Sequence, residues 1–272
     1  FFSPDYATAR KRFREAAQKA GCALEPHPIG LTGPQGEDLS IDVALSEAMD
    51  GAHAPCLVIS SGVHGVEGYF GSAVQLAVLE QWRANPALAP RCRWVMIHAV
   101  NPYGMAWRRR VNEDNADLNR NFLLAGQPYA GSPEGYAKLD GLINPRSAPA
   151  FFEPDRLKLA AAILRHGKPV IQQAVSGGQY DYPKGLFFGG AKATRSKDIL
   201  EAHYDRWLGS ASSIMHVDFH TGLGASGDYK MLVDHPLDAA QQQRLETTFG
   251  VDKVQTMGPG GISSTLRGTF GI

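Results

Sequence analysis

The sequence predicts a single α/β domain, three layers (α/β/α) around a mixed, largely parallel sheet. Three observations predict it. Short apolar runs without helical period, Pro55–Ser61 and Arg93–Val100, read as strands buried on both faces. Stretches with apolar residues at helical spacing alternate with the strands. Polar, chemistry-bearing residues follow predicted strand ends at His64, Asn101 and His220, where open α/β sheets hold their ligands.

Taken in order, Ser3-Pro4 reads as an N-cap followed by proline at the first helical position. Tyr6, Ala9, Phe13, Ala16, Ala17 and Ala20 form an apolar stripe that Gly21 ends; Arg10, Lys11, Arg14 and Lys19 make its solvated face. Gly33-Pro34-Gln35-Gly36 is a turn and Leu39–Leu45 a strand. Pro55–Ser61 runs straight into Gly62-Val63-His64, and Phe70, Val74, Ala77, Val78 and Trp82 have helical spacing, so His64 and Glu67 sit on a strand-to-helix turn. Arg93–Val100 delivers Asn101. The stretch Asn101–Phe122 follows neither a 3.6 nor a 2 period and reads as a long polar loop, uncommon inside a domain unless it is functional.

Gln127–Ala150, rich in Gly, Pro and Ser, reads as loop and Asp155–His166 as helix. Lys168–Val175 fits a strand or a short helix, the strand being preferred, and Leu186–Gly190 is read as an edge strand. A helix over Ser196–Leu208, a strand over Ser213–Phe219 delivering His220, a strand over Tyr229–Asp234 and a helix over Leu237–Phe249 complete the chain. There is no internal repeat, low-complexity block or interdomain linker, hence one domain over residues 1–272.

The 272 residues suffice for a sizeable core, and 43% apolar with 20% charged residues describe a soluble globular protein. Formal net charge is zero, so no nucleic-acid or membrane partner is expected and any arginine cluster acts locally. Cys22, Cys56 and Cys92 are odd in number, widely spaced and lack C-x-x-C, against a disulfide framework or a thiolate metal site. No signal peptide or membrane-length apolar run is visible, so the expected compartment is the cytoplasm, although the chain begins at Phe1 rather than Met.

Three short stretches carry the chemistry. In His64-Gly65-Val66-Glu67 two metal-ligating side chains lie three residues apart on a turn. The plainer reading is a histidine packed under the turn and a glutamate favoured at a helix start. His220, at the end of a buried strand and followed by Gly222 and Gly224, is the natural third ligand. Its rivals His216 and His98 lie inside strands and read as satisfied core histidines; His27, His53, His166, His203 and His235 read as turn or helix residues without a partner motif. Two His and one Glu with an open fourth position suit a catalytic zinc. Asp117 is placed either to accept from a ligating histidine or to hold its own loop. Arg108, Arg109, Arg110 and Arg120 are candidates for a carboxylate clamp or for stabilising charge on a carbonyl oxygen, though some serve only solvation.

The order H-x-x-E, then N-P-x-G, R-x-N and D-L-N-R-N-F, then D-x-H-[ST]-G, each after a predicted strand, resembles the zinc carboxypeptidases of the carboxypeptidase A-like superfamily. The resemblance covers roughly Leu57–Gly224. It implies a zinc-carboxypeptidase-like fold, zinc held by His64, Glu67 and His220, and Asp117 orienting His64. It gives Arg110, spaced R-x-N to Asn112, the polarisation of the scissile carbonyl, with Arg108 in an alternative register. Asn119 and Arg120 would hold the terminal carboxylate of a small peptide or acyl-amino acid substrate. Zinc would lower the pKa of a bound water and polarise the carbonyl.

The chain departs from that pattern in its late part. The family's general-base glutamate lies on a late strand; the only Glu after His220 is Glu246, inside a predicted helix, so no base is assigned and one is expected beyond Ile272. Tyr229 is a guess for the substrate-capping tyrosine. The long spacing from Arg120 to His220 implies an insertion. The same submotifs also resemble the deacylases of the aspartoacylase and succinylglutamate desuccinylase type. Three activities therefore stand open: a zinc exopeptidase, narrowly preferred; a zinc-dependent deacylase of N-acyl amino acids; and an inactive zinc-binding module.

Overall fold

A computed structural model describes residues 1–46, 53–88, 91–146, 155–167, 171, 177–222, 225–256 and 267–270. The chain divides into two compact units, Phe1–Asp114 with Ala193–Gly222, and Asn115–Lys192 with Leu223–Ile272. Each is described by itself.

The first unit holds a five-stranded sheet in the order β1-β2-β4-β3-β5. The strands are β1 (Ala23–Thr32), β2 (Asp38–Leu45), β3 (Cys56–Ser61), β4 (Arg93–His98) and β5 (Ile214–Phe219). β3 runs parallel to both β4 and β5, with Cys56 opposite Arg93 and Ile214. β2 is antiparallel to β4 and β1 antiparallel to β2, so β2 alone opposes the other strands. β1 was not expected from the sequence. It carries Pro26 and Pro28, which remove ladder donors and hide a strand from pattern reading, and prolines are tolerated at a sheet edge, where β1 lies. It also moves His27 from the expected turn or helix into a strand.

Helices α1 (Tyr6–Lys19) and α2 (Gly68–Ala84) cover one face of the sheet. Phe13, Ala17 and Leu79 pack there against Ala44, Ile59, Trp94 and Met96. The N-cap of α1 is Asp5, whose carboxylate accepts from the Thr8 amide at 2.8 Å, and not Ser3; Pro4 precedes the cap and is not the first helical residue. The carboxylate two residues later won because it reaches an otherwise unpaired N–H of the first turn. The buried stripe Tyr6, Ala9, Phe13, Ala17 is as read from the sequence, and Gly21 follows the helix at φ +77°.

The opposite face carries Arg195–Leu208, a helix capped by Thr194. Trp207 of that helix donates to Glu25 of β1 at 2.9 Å. The unit is thus three-layered, with β3 in the interior of the sheet.

In this core His98 is fully buried, stacked on Phe13 with ring centroids 4.6 Å apart, and its Nε2 lies 3.0 Å from Ser72 Oγ. Its Nδ1 has no partner among the described residues. Burial pushes its pKa down from 6.5 to about 4, against the opposing pull of Asp42. A depressed histidine is neutral when folded and binds a proton on unfolding, so the stability it contributes is present above pH 6.5 and lost as pH falls towards 4. Urea unfolding from pH 7 to pH 4 is expected to cost wild type about 3 kcal/mol more than it costs His98→Asn. Parallel loss in the two proteins would contradict this.

The polar stretch 101–122 is not all loop. Pro102–Ala106 forms a short helix, α3, with Asn101 as N-cap accepting from Gly104 N at 2.8 Å, and Leu118–Arg120 forms a 3-10 turn. The Asn101-Pro102 dipeptide that opens the stretch is a cap followed by proline at the first helical position.

In the second unit, α4 (Tyr136–Ile143) lies within the stretch expected to be loop; its buried Tyr136 and Leu139 are i, i+3, and Gly135 starts it at φ +90°. α5 (Asp155–His166) is as expected, and Arg195–Leu208 of the first unit is accordingly α6. Of Lys168–Val175 only residue 171 is described; it is helical, its amide donating to the Gly167 carbonyl at 3.3 Å, which goes against the strand preferred there, and the rest of the stretch lies outside the described residues. The expected edge strand Leu186–Gly190 reduces to one bridge, Gln179 to Phe188. β6 (Met231–Val233) is shorter than expected and pairs in parallel with an unanticipated β7 (Val254–Thr256) across α7 (Ala239–Phe249). Asp238 and Gln241 cap α7 reciprocally. Among the described residues no helix is long and apolar enough to cross a membrane.

Candidate metal centre

β3 ends at Ser61, and the chain turns at Gly62, whose φ is +74°. A Cβ there would stand 3.3 Å from the Cα atoms of both Ala99 and Gly68, so the turn needs glycine twice over. The turn sets His64 as N-cap of a 3-10 turn, Gly65–Glu67, that continues into α2. A neighbouring loop straps it down: Gly65 N donates to Arg110 O at 3.1 Å and Val66 N to Arg109 O at 2.9 Å. β5, aligned on β3 with Phe219 opposite Ser61, delivers His220 beside the turn.

The result is a convergence of donors. His64, Glu67 and His220 each offer a ligand atom within 4.8 Å of the others. His64 Nδ1 is 3.1 Å from Glu67 Oε1; His220 Nδ1 is 3.2 Å from His64 Nδ1 and 3.3 Å from Glu67 Oε2. Thr221 N donates to Glu67 Oε2 at 2.8 Å. Burial alone would raise the Glu67 pKa, but the hydrogen bonds from His220, His64 and the Thr221 amide hold it far below the usual carboxylate range. Burial likewise opposes protonation of His220, yet the adjacent Asp218 and Glu67 carboxylates push its pKa up to about 10. Two imidazole nitrogens and a carboxylate, this close and this polarised, are a donor set that fits a divalent metal such as zinc.

Arg110 lies at the rim. Its Nη1 is 3.5 Å from Glu67 Oε1, and its side chain is 40% exposed. Arg108 faces elsewhere: held at φ +53°, it donates to the Pro4 carbonyl at 3.0 Å beside Tyr69 and Asp5. Asn112 is buried and accepts from the Asp114 amide at 3.1 Å. His216 and His98, read as core histidines, are both bonded inside the sheet layers.

Asp218 was not singled out as a site residue. Its Oδ2 lies 2.6 Å from His220 Nε2, the nitrogen turned away from Glu67, and its Oδ1 accepts from Ser60 Oγ at 2.6 Å. The available signal was the alternation that puts residues 218 and 220 on one side of a strand.

Asp117, Asn119 and Arg120 belong to the second unit. Asp117 is buried and caps the 3-10 turn, accepting from Asn119 N at 3.0 Å, the loop-holding role weighed above. Asn119 Oδ1 accepts from Phe270 N at 2.9 Å. Arg120 is buried, donates to the Asn119 carbonyl at 2.6 Å and lies over the Phe187 ring. Tyr229 is exposed, with its hydroxyl on Phe249 O at 3.2 Å.

One family model, described as a protein of unknown function (DUF2817), matches residues 2–271. The chain belongs to the DUF2817 family. No curated protein matches it. Among solved structures, this DUF2817 chain is similar to bovine thrombin-activatable fibrinolysis inhibitor in complex with tick carboxypeptidase inhibitor. The TM-score is 0.53 at 11% identity, over 99% of this chain and 80% of that one. That likeness shows a carboxypeptidase-like fold. A candidate metallopeptidase from Shewanella denitrificans is 20% identical, with TM-score 0.35 over 66% of this chain and 55% of that one. An aspartoacylase family protein from Mesorhizobium loti is 16% identical, with TM-score 0.40 over 84% and 49%. The DUF2817 chain spans about half the length of these two bacterial proteins.

Proposed function

We propose that this DUF2817 protein is a zinc-dependent hydrolase that cleaves an amide or peptide bond next to a free carboxylate, as a metallocarboxypeptidase does. The observation that carries the reading is the convergence of His64, Glu67 and His220 ligand atoms within 4.8 Å, with the Arg110 guanidinium at its edge. Zinc held there would act as a Lewis acid and lower the pKa of its water. His64 and His220 would hold it through Nδ1 and Glu67 through its carboxylate. Arg110, rather than Arg108, has donors at the site rim to meet charge growing on a carbonyl oxygen. From the motif alone, Asp117 is assigned to orient His64, and Asn119 and Arg120 to hold the substrate's carboxylate. The whole chain, 1–272, serves in this reading as one metallohydrolase domain.

A second reading, a deacylase of N-acyl amino acids, is favoured by the submotifs H-x-x-E, an arginine before D-L-N-R, and D-x-H, which fit it equally well. A panel of short peptides and N-acyl amino acids separates the two. Turnover of peptides with a free C-terminus supports the peptidase; turnover that tracks the acyl group supports the deacylase. A zinc-loaded protein inert to both panels would leave the inactive module. On the substrate found, Arg110→Ala is expected to keep zinc and lose about 10²–10³-fold in kcat with little change in KM. A variant that loses zinc instead would make Arg110 structural.

A further inference from the structure

The side of the sheet that faces α6 carries a row of polar side chains running to the metal centre. Tyr204 of α6 places its hydroxyl 3.0 Å from His216 Nδ1. His216 Nε2 lies 2.8 Å from Ser60 Oγ on β3. Ser60 Oγ lies 2.6 Å from Asp218 Oδ1, and Asp218 Oδ2 is 2.6 Å from His220 Nε2. The alignment of the strands makes this possible: Ser60 is directly opposite Asp218 in the parallel ladder, and residues 216, 218 and 220 project on one side of β5.

With a neutral His216 ring the donors and acceptors run in one direction. Ionised Asp218 only accepts, so Ser60 spends its one hydrogen on it. Ser60 must then accept from His216, which therefore carries its hydrogen on Nε2. His216 Nδ1 is left as acceptor for the Tyr204 hydroxyl. On the other side Asp218 Oδ2 pairs with His220 Nε2 at 2.6 Å as an ion pair, which leaves His220 Nδ1 turned to Glu67 and His64. Each hydrogen from Tyr204 to Ser60 points towards the Asp218 carboxylate, and the ion pair on its other oxygen sets which nitrogen of His220 is presented.

On the opposite side of the same strands Ile59 and Phe219 pack among apolar groups. Ser60 is fully buried, with His216 and Tyr204 half-buried beside it, and burying polar groups is costly unless each is bonded. A bonded chain of this kind earns its place by holding one geometry.

We propose that Tyr204, His216 and Ser60 are positioning residues of the metal centre, which hold Asp218 so that His220 presents Nδ1. The inference rests on the zinc reading above and extends it about 10 Å or more into the sheet, the span of several hydrogen bonds at roughly 2.8 Å plus the rings between them. A carboxylate behind a ligating histidine typically tunes metal affinity by about 10–100-fold, and the groups that hold the carboxylate act through it.

The test is the zinc dissociation constant, by competition with a chromogenic chelator, for wild type, Ser60→Ala, Tyr204→Phe, Asp218→Asn and the Ser60→Ala/Asp218→Asn double variant. Asp218→Asn is expected to weaken zinc by about 10–100-fold and Ser60→Ala by about 10-fold. In the Asp218→Asn background Ser60→Ala is expected to add less than about twofold, because its effect passes through Asp218. Long-range 1H–15N spectra of the zinc-loaded protein are expected to show His220 protonated on Nε2. Ser60→Cys keeps the volume and covers the case in which Ser60→Ala does not fold. Zinc affinity unchanged in Ser60→Ala and Ser60→Cys, or a full Ser60 effect persisting without Asp218, would overturn the relay while leaving the zinc reading intact. A wild-type protein that binds no zinc would overturn both.

Discussion

His220→Ala is expected to lose bound zinc and to hydrolyse its substrate on the order of 10⁴-fold more slowly than wild type, the scale seen when one member of a catalytic unit is removed. His220 is the donor that closes the set. Without it His64 and Glu67, which share one turn, leave two ligands where a catalytic zinc needs three. The substitution also removes the cation that Asp218 and Glu67 share, 2.6 Å and 3.3 Å from the ring, so some stability goes with it. Metal content and turnover are expected to fall together, and by far more than the urea midpoint shifts. Turnover retained in a His220→Ala protein would remove His220 from the site.

The second large effect is expected from a residue with no chemistry. Gly65 lies between the two ligands of the turn, and its amide is bonded to Arg110 O. A Cβ at this position would overlap the backbone of α3 at Gly104 and Met105, inside the 3.0 Å that real Cβ atoms do not breach. The obstacle is backbone and cannot swing aside. Gly65→Ala is expected to cost about 3 kcal/mol, the upper range for overpacking, and to pull Glu67 away from His64 and His220. Gly141→Ala is the matching control: it lies within α4 with nothing inside 4 Å, and is expected to stabilise by about 0.5–1 kcal/mol. Denaturation midpoints and zinc stoichiometry of the two variants check the contrast. A Gly65→Ala protein as stable and as metal-loaded as wild type would contradict the close packing of the turn on α3.

What the sequence made legible depended on how local the determinants are. His64 and Glu67 were readable because a strand, a glycine turn and a helix follow one another within a dozen residues, and the ligand spacing is fixed by that turn. His220 was readable because it ends an apolar run. The α1 stripe was readable from its period, but its cap was placed two residues early, since Ser3 and Asp5 both suit a cap and only the Thr8 contact decides between them. β1 was hidden by Pro26 and Pro28, which an edge strand tolerates. α3 was hidden because Asn-Pro serves both a turn and a capped helix. α4 is short and lies among the glycines and prolines that had marked its surroundings as loop. The partnership of Asp218 with His220 could be suspected from alternation, but its support by Ser60 depends on the alignment of two strands that place residues 158 apart side by side, which no local pattern carries.

The most direct measurement is the metal content of the purified protein, by elemental analysis after removal of loosely held ions, beside that of His64→Ala. About one zinc per chain in wild type and none in the variant is the predicted result. Absence of metal from both, even after zinc is supplied, would contradict the account: His64, Glu67 and His220 would then be a hydrogen-bonded cluster on a carboxypeptidase-like fold and not a metal centre.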